Sequence, residues 1–282
     1  MDEHSPTEAI HEATRDLDCW SVERILRVIH TEDANAHAAV TAVLPKIAAA
    51  VEVLVVTLAG GGTWFNVGAG TSGRIGTLDA AEIPPTFGLP PHRVQAVIAG
   101  GERALWQAVE GAEDQPERAV WELRERGLSA GDAVLAISAS GRTPFTLGSV
   151  ELAHDVGAHS IGLTCNPRSP LAEAAELAIV PEVGPEVIAG STRMKGGLAQ
   201  KMVLHLLSTT TMVQLGHVSG NLMSSLSPAS EKLWDRAVRI IMALGGLDRP
   251  RAETLLRNCD GDVADAARRA QHVLERHDRE LR

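Results

Sequence analysis

Short apolar runs alternate with longer amphipathic stretches through the middle of the chain. The runs that predict β-strands lie at residues 63–67, 94–98, 132–137, 159–164 and, more weakly, 177–180. Helical stretches are predicted between most of them, at 73–81, 101–126 in two pieces, 144–156 and about 170–175. Strands that alternate with helices favour right-handed crossovers and a mostly parallel sheet covered on both faces. The pattern therefore predicts an α/β fold with a five-stranded parallel sheet.

Helical periodicity also marks both ends of the chain. Ser21 is predicted to cap a helix, and residues 33–59 are predicted to form a second helical region bent at Pro45, because proline removes a backbone donor. Residues 84–91 contain four prolines and are predicted to form a rigid irregular loop. Further helices are predicted at 191–215, 230–244, 249–257 and 261–276. The predicted domains are an N-terminal helical segment (1–59), an α/β domain (60–225) with the helix 191–215 packed on it, and a C-terminal helical segment (226–282).

Two loops rich in glycine and hydroxyl residues follow predicted strands. The first, residues 66–76, reads Asn-Val-Gly-Ala-Gly-Thr-Ser-Gly-Arg-Ile-Gly, and the second, residues 138–143, reads Ser-Ala-Ser-Gly-Arg-Thr. Glycines let backbone N–H groups approach an oxyanion, hydroxyls add donors, and the helix that follows presents its positive end. In a parallel sheet both loops lie beyond the carboxyl ends of the strands, where ligands bind. The sequence therefore predicts a site for a phosphorylated small molecule.

A dinucleotide site is the alternative interpretation of the first loop. Residues 68–73 match the pattern G-x-G-x-x-G, and Glu102 follows the next predicted strand. Thr71 and Ser72 at the variable positions suit a phosphate monoester better, and the second loop repeats the hydroxyls. Glu102 also lies about ten residues beyond the usual spacing of roughly twenty for a ribose-binding acid. Tight turns without a ligand are the third interpretation.

Acidic residues near the loops are the candidates for acid–base chemistry. Glu82 precedes two prolines, and a carboxylate held beside a rigid turn can transfer protons. Glu110, Glu113 and Asp114 form a cluster at a predicted helix break, where a capping role is equally open. Spacing alone does not choose among these residues. The segment 191–195, Ser-Thr-Arg-Met-Lys, is either a third part of the anion site or a solvated surface.

Composition narrows the classes of function. The 282 residues are 44% hydrophobic and 22% charged, which is ordinary for a globular protein. The net charge of −10 disfavours a general nucleic-acid or anionic-membrane surface. Three distant cysteines without a CxxC pair fit a reducing compartment, and the scattered histidines form no metal-binding motif. The acidic N-terminus and the short apolar runs predict a soluble, cytoplasmic protein.

Seven segments, taken together, carry a resemblance to a known family. The longest are Val67–Gly76 and Leu78–Gly88, the latter reading Leu-Asp-Ala-Ala-Glu-Ile-Pro-Pro-Thr-Phe-Gly. The others follow in the same order and are Ile98–Glu102, Ala108–Asp114, Ser138–Pro144, Cys165–Pro167 and Gly190–Lys195. From about residue 15 to 240 the chain resembles the N-acetylmuramic acid 6-phosphate etherases. The segments that carry Glu82 and Glu113 are far more specific than a glycine motif.

This resemblance implies a fold, a reaction and a set of site residues. The fold is the sugar isomerase (SIS) fold, a flavodoxin-like sheet with helices on both faces, and the assembly is a homodimer with sites near the subunit interface. The substrate is a small sugar phosphate, whose lactyl ether is cleaved to N-acetylglucosamine 6-phosphate and D-lactate in bacterial cell-wall sugar recycling. Glu113 matches the base that removes the proton on carbon 2, and Glu82 matches the acid that protonates the departing lactate oxygen. No metal or redox cofactor is implied.

The same resemblance assigns the 6-phosphate to the two hydroxyl loops. The residues that match the binding positions are Gly70, Thr71, Ser72, Ser138, Ser140, Gly141 and Thr143. Holding the phosphate there would position the sugar for the two glutamates, which is a proximity effect.

The chain departs from the family pattern at several positions. His11 stands where the usual Thr-Glu-x-x-Asn motif ends in Asn, and Ser225 and Ser230 stand where Asp and Asn are usual. Residues 196–198, Gly-Gly-Leu, replace Ala-Gly-Thr, and the tail from 245 to 282 is shorter than usual. The alternatives to a lyase are a non-catalytic sugar-phosphate binder, like the related glucokinase regulatory protein, and a SIS-type isomerase. The departures favour the binder, whereas the presence of both glutamates favours the lyase.

Overall fold

A computed structural model describes the backbone of residues 6–280 and the side chains of residues 6–272. The five strands are β1 (Trp64–Gly68), β2 (Val94–Ile98), β3 (Ala133–Ile137), β4 (His159–Leu163) and β5 (Leu177–Ile179). The helices of the described chain are α1 (Val22–Ala42), α2 (Leu44–Ala59), α3 (Gly70–Phe87), α4 (Pro116–Glu125), α5 (Pro144–Val156), α6 (Pro170–Ala174), α7 (Lys195–Gln214), α8 (Glu231–Gly245), α9 (Arg249–Asn258) and α10 (Val263–Glu280).

The strands form one parallel sheet in the order β2-β1-β3-β4-β5. In the register, Gly68 at the end of β1 pairs with Ile98 of β2 and with Ile137 of β3, so these three strands end at the same level. The predicted α/β fold with a five-stranded parallel sheet is thereby confirmed. The loops after β1 and β3 leave neighbouring strands at one edge of the sheet, as the alternation of strands and helices requires.

Helices cover both faces of the sheet. On one face Phe65 and Val67 of β1 pack with Leu123 of α4 and Phe145 of α5 in a buried apolar cluster. Because successive side chains of a strand alternate between faces, Asn66 points to the other face, where its Nδ2 donates to the carbonyl of Gly76 in α3 at 3.1 Å. Helix α2 also contacts β1, β3 and β5. Burial on both faces explains why the strands are apolar runs without strict alternation.

The chain divides into two compact units. The first comprises the residues up to Ala80 and His92–Thr211, and it contains the whole sheet. The second comprises Ala81–Pro91 and the residues from Met212 onward. Within the second unit α8, α9 and α10 pack around a core that includes Val238, Ile241 and Leu256. The domain boundaries expected after residues 59 and 225 stay predictions.

The prolines at 84 and 85 do not begin an irregular loop, so that prediction is wrong. Helix α3 continues through both residues and ends at Phe87. The φ angle fixed by the proline ring is compatible with a helix. Proline destabilises a helix because it has no backbone N–H to donate to a carbonyl of the preceding turn. The last turn still closes, because the N–H of Gly88 donates to the carbonyl of Pro84 at 2.9 Å.

The predicted helical region 101–126 is helical mainly at its end. Short 3₁₀ turns at Glu102–Leu105 and Ala112–Asp114 precede α4, which begins at Pro116. Gly100, Gly101 and Gly111 adopt φ angles of 86°, 66° and 72°, which interrupt a right-handed helix. This stretch therefore forms a loop at the end of β2 instead of a second crossover helix.

The N-terminal helices also differ from the expected boundaries. Ser21 caps α1 as predicted, since its Oγ accepts the N–H of Arg24 at 3.4 Å. Helix α1 then runs unbroken to Ala42, and the break falls at Val43, while Pro45 lies in the first turn of α2, where its missing donor is not needed. In the described part of the chain no single helix is long and apolar enough to span a membrane; only α1 and α2 together, bent by 59°, reach that length and composition.

Candidate active site

The first hydroxyl loop is a tight turn between β1 and α3. A Cβ atom at Gly73 would lie 2.6 Å from Ile98 Cγ1 and 2.7 Å from the carbonyl oxygen of Gly68, so the close packing of helix on strand requires glycine there. Gly70 opens α3 with a φ of +52°. The first turn of α3 thus sits directly on the end of β1, with its backbone N–H groups at the carboxyl edge of the sheet.

The two hydroxyls of this loop have different surroundings. Ser72 is buried and donates a 2.9 Å hydrogen bond to Oε1 of Gln200 in α7. Thr71 is half-buried, one residue earlier. The Ser72 hydroxyl therefore ties α3 to α7, a role that its sequence motif does not reveal. Its partner lies 128 residues away, and no local pattern could have found it.

The second hydroxyl loop is organised around the side chain of Ser138. Its Oγ lies 2.9 Å from Thr143 Oγ1 and 3.3 Å from Ser140 Oγ, and it accepts the N–H of Gly141 at 3.1 Å. Ser138 itself is 4% exposed, whereas Ser140 and Thr143 are half-buried. Gly141 has a φ of +67°, and a Cβ there would lie 2.2 Å from Ser169 Oγ. Ser138 thus holds the loop in shape, and Ser140 and Thr143 stand nearer its surface.

Both loops pack against the first turn of α7. A Cβ atom at Gly196 would lie 3.4 Å from the Cβ of Ala139, and one at Gly197 would lie 3.4 Å from Cγ2 of Thr71. Gly196 therefore meets the second loop, and Gly197 meets the first. Together with the sheet register, these contacts bring the predicted loop residues of β1 and β3 to one place.

A cavity of about 160 Å³ lies beside the first loop. Its lining includes Gly70 and Arg74 of α3, and Glu110 and Glu113 of the loop after β2. Arg74 Nε donates to the carbonyl of Leu105 at 3.2 Å, which fixes this loop against α3. Both glutamates are exposed to solvent, and the cavity can supply carboxylates to a ligand held by the first loop. Asp114 does not line this cavity, and the assignment of acid–base roles among the acidic residues stays a prediction.

Glu82 is exposed near the end of α3. One turn earlier in the same helix, Asp79 is buried, and its Oδ1 accepts a 3.1 Å hydrogen bond from Ser208 of α7. Among the described residues its Oδ2 has no hydrogen-bond partner. Burial raises the pKa of Asp79, with the Ser208 hydroxyl opposing that rise. The helix that carries Glu82 is thus anchored by a buried carboxyl.

The segment 191–195 is not simply a solvated surface. Lys195 is 1% exposed, and its Nζ lies 2.6 Å from Oε2 of Glu32, while Arg193 is exposed. Helix α7 begins only at Lys195, four residues later than predicted. The same Glu32 oxygen lies 3.3 Å from Nε2 of His11. Burial alone would raise the pKa of Glu32, but Lys195 and His11 hold that pKa below its ordinary value.

Two of the residues that depart from the family pattern, Ser230 and His11, make identifiable contacts in the structure. Ser230 caps α8, since its Oγ accepts the N–H of Leu233 at 3.3 Å. His11 contacts Glu32 of α1, with its Nε2 atom 3.3 Å from the Oε2 atom of Glu32. Within the described residues no group of three or more His, Cys, Asp or Glu side chains is arranged to hold a metal ion. Burial raises the pKa of the Cys165 thiol to about 12, so it is an inert core residue.

Comparison with known proteins first defines the class. Residues 122–196 match the SIS domain, and residues 46–154 match the N-terminal SIS domain of glucokinase regulatory protein. The solved structure of a phosphoheptose isomerase from Francisella tularensis superposes with a TM-score of 0.52 at 22% identity, covering 69% of this chain and 99% of that one, and it supports the fold. The chain is a SIS-domain protein with paired hydroxyl loops at the carboxyl edge of its sheet.

The sequence relatives narrow this class to one family. A Salinibacter ruber N-acetylmuramic acid 6-phosphate etherase is 50% identical over 89% of this chain and 81% of its own length. An Enterococcus faecalis N-acetylmuramic acid 6-phosphate etherase 1 is 43% identical over 96% of this chain and 94% of its own. The chain belongs to the N-acetylmuramic acid 6-phosphate etherase family. The suspected resemblance is confirmed, and the dinucleotide interpretation of the first loop is not supported.

Proposed function

We propose that this protein cleaves the D-lactyl ether of N-acetylmuramic acid 6-phosphate, giving N-acetylglucosamine 6-phosphate and D-lactate. The observation that carries the proposal is the 43–50% identity to named etherases over about nine-tenths of the chain. These relatives do not favour the alternatives, a non-catalytic sugar-phosphate binder and a SIS-type isomerase. The paired hydroxyl loops and the acidic cavity beside them supply the chemistry that such a substrate needs.

The proposed reaction is an elimination followed by addition of water. In the open-chain sugar the aldehyde acidifies the proton on carbon 2, which the Glu113 carboxylate removes. The bond between carbon 3 and the lactyl oxygen then breaks, and that oxygen takes a proton from the Glu82 carboxyl. Water then adds to carbon 3 of the unsaturated aldehyde while the Glu82 carboxylate takes one of its protons, and the Glu113 carboxyl returns a proton to carbon 2. These transfers restore a hydroxyl at carbon 3 and regenerate both glutamates. Glu113 is thus the proposed base and Glu82 the proposed acid of one general acid–base pair.

The two hydroxyl loops are the proposed site of the 6-phosphate. Gly70 and Thr71 in the first loop, and Ser140, Gly141 and Thr143 in the second, are the proposed direct contacts. The buried hydroxyls of Ser72 and Ser138 already bond within the fold, so we assign them to shaping the loops. A phosphate bound at both loops would receive backbone and hydroxyl donors at the positive ends of α3 and α5.

The direct test incubates the protein with N-acetylmuramic acid 6-phosphate and measures D-lactate. In water labelled with ¹⁸O, the label is expected on the carbon 3 hydroxyl of the sugar product and not in the lactate. Sugar-phosphate binding without lactate release would favour the regulatory binder. Conversion to a ketose phosphate would favour an isomerase.

The base assignment has its own test. Glu113→Gln is expected to abolish turnover while the substrate still binds, because the amide cannot accept the carbon 2 proton. Glu117→Gln, an exposed residue of α4, is the matched control and should keep full activity. Glu110→Gln separates the two glutamates of the cavity, since both line it. Retained activity in Glu113→Gln with activity lost in Glu110→Gln would transfer the base role to Glu110.

We further propose that the protein acts as a cytoplasmic homodimer. Helix α1 supports this, because Val22 and Leu26 are 74% and 62% exposed on one side of its first two turns. A second copy of the chain is the proposed cover for this apolar stripe. Light scattering is expected to give twice the 29.9 kDa mass of one chain, and Leu26→Glu should lower that mass. A monomeric mass for the wild type would contradict the assembly.

A further inference from the structure

The start of α7 lies beside both hydroxyl loops, at two residues without side chains. A Cβ added at Gly196 would come to van der Waals distance of Ala139 in the second loop, and one added at Gly197 would do the same with Thr71 in the first. Gln200, one turn further along, bonds to Ser72. We therefore expect a displacement of this turn to reach both loops, because close-packed interiors transmit strain.

Glu186 fixes the start of this helix. Its Oε2 accepts the N–H of Lys195 at 3.0 Å, and its Oε1 accepts the N–H of Gly196 at 2.9 Å. The residue is 1% exposed, so its charge is compensated inside the fold by these donors and by the positive end of α7. The chain thus places its own carboxylate at the α7 N-terminus, which removes that helix end as a phosphate site. The interpretation of residues 191–195 as a third part of the anion site stays a prediction.

The side chain of Lys195 also holds the first turn of α7 in place. Its buried Nζ pairs with Glu32 of α1 at 2.6 Å, while its backbone N–H is held by Glu186. Next to Glu186, the carbonyl of Val187 accepts a 2.9 Å hydrogen bond from Thr14. The beginning of α7 is therefore tied to α1 and to the N-terminal segment as well as to the loop that precedes it.

We propose that Glu186 is a positioning residue for the sugar 6-phosphate, acting through the first turn of α7 to set the spacing of the two hydroxyl loops. This inference rests on the proposed function of those loops. The phosphate does not react, so its contacts stabilise the bound substrate and the transition state equally. Loss of loop spacing should then weaken binding and raise KM, with little change in kcat.

The test compares Glu186→Gln with the wild type well below the melting temperature of both proteins. The amide turns a donor toward one of the two N–H groups, which displaces the first turn of α7. The Kd for N-acetylglucosamine 6-phosphate, measured by calorimetry, is expected to rise about tenfold or more, as small misplacements at a site commonly do. KM should rise in parallel, with kcat within about twofold of the wild type. Glu182→Gln, an exposed change on the same segment, is the matched control and should leave both values unchanged.

The outcomes separate positioning from mere stability. If Glu186→Gln lowers the melting temperature but leaves Kd and KM as in the wild type, Glu186 is only a structural cap and the proposal is wrong. If the variant does not fold, Glu186→Asp carries the test, because it keeps the carboxylate and shortens its reach to the N–H groups of Lys195 and Gly196. A Kd unchanged in that variant would equally overturn the proposal. Calorimetric binding stays informative even if the wild type releases no lactate, so failure of the proposed reaction is distinguishable.

Discussion

Ser138→Ala tests the assignment of Ser138 as the residue that shapes the second loop. The change deletes one oxygen that is 4% exposed and leaves the rest of the loop in place. That oxygen lies within hydrogen-bond distance of Ser140 and Thr143, and it accepts the N–H of Gly141. A hydroxyl carries one proton, so it can donate to only one of the two neighbouring oxygens at a time.

The expected cost follows from these contacts. The variant loses about one donated and one accepted hydrogen bond, each worth about 0.5–1.5 kcal/mol net. The N–H of Gly141 is not left without an acceptor, because the carbonyl of Ser138 also lies 3.1 Å from it. The free energy of unfolding should therefore fall by about 2 kcal/mol, which corresponds to a melting temperature lower by roughly 4–8 °C. Sugar-phosphate affinity should fall as well, since Ser140 and Thr143 lose the partner that orients them.

The assay pairs urea denaturation with calorimetric binding of N-acetylglucosamine 6-phosphate. Ser140→Ala is the matched control, because Ser140 is half-buried and is a proposed direct contact. It should lose affinity while keeping most of its stability. The reasoning is refuted if Ser138→Ala is as stable as the wild type to within about 0.5 kcal/mol and loses the same affinity as the control. Ser138 would then contact the ligand directly instead of shaping the loop.

Three further predictions address the loops and the core. Gly141→Ala should lower the free energy of unfolding, measured by urea titration, by about 3 kcal/mol. The reason is that Gly141 has a φ of +67° and the new Cβ would lie 2.2 Å from Ser169 Oγ. Unchanged stability would contradict this geometry. Burial raises the pKa of Asp79 above its ordinary value of 3.8, so the stability that the protonated carboxyl provides is lost as the pH rises above 3.8. Asp79→Asn should therefore be more stable than the wild type at pH 7 and show no such gain below pH 3.8. An equal gain at both pH values would exclude titration of Asp79 as its cause. Because the pKa of Cys165 is about 12, iodoacetamide at pH 8 should modify the exposed Cys19 in the native protein and spare Cys165, as mass spectrometry of peptides can show.

The sequence by itself determined the fold class and the family. Hydrophobic periodicity and glycine-rich turns act over a few residues, so all five strands and most helix ends could be read from local patterns. The predictions of secondary structure were wrong where the surrounding structure of a segment outweighed its local sequence preference. Two prolines in succession predict a break, yet α3 continues through Pro84 and Pro85 because their φ angles suit a helix and the next turn still closes.

Only the tertiary structure decided which polar groups of the site are committed within the fold. Ser72 bonds to Gln200 across 128 positions, and Lys195 pairs with Glu32 across 163. No helical or strand period extends over such separations, so neither pair could be recognised from the sequence. The structure also placed the buried carboxylate of Glu186 at the start of α7, where it accepts the N–H groups of Lys195 and Gly196. The motifs identified the donors, and long-range packing determined which of them stay available to a ligand.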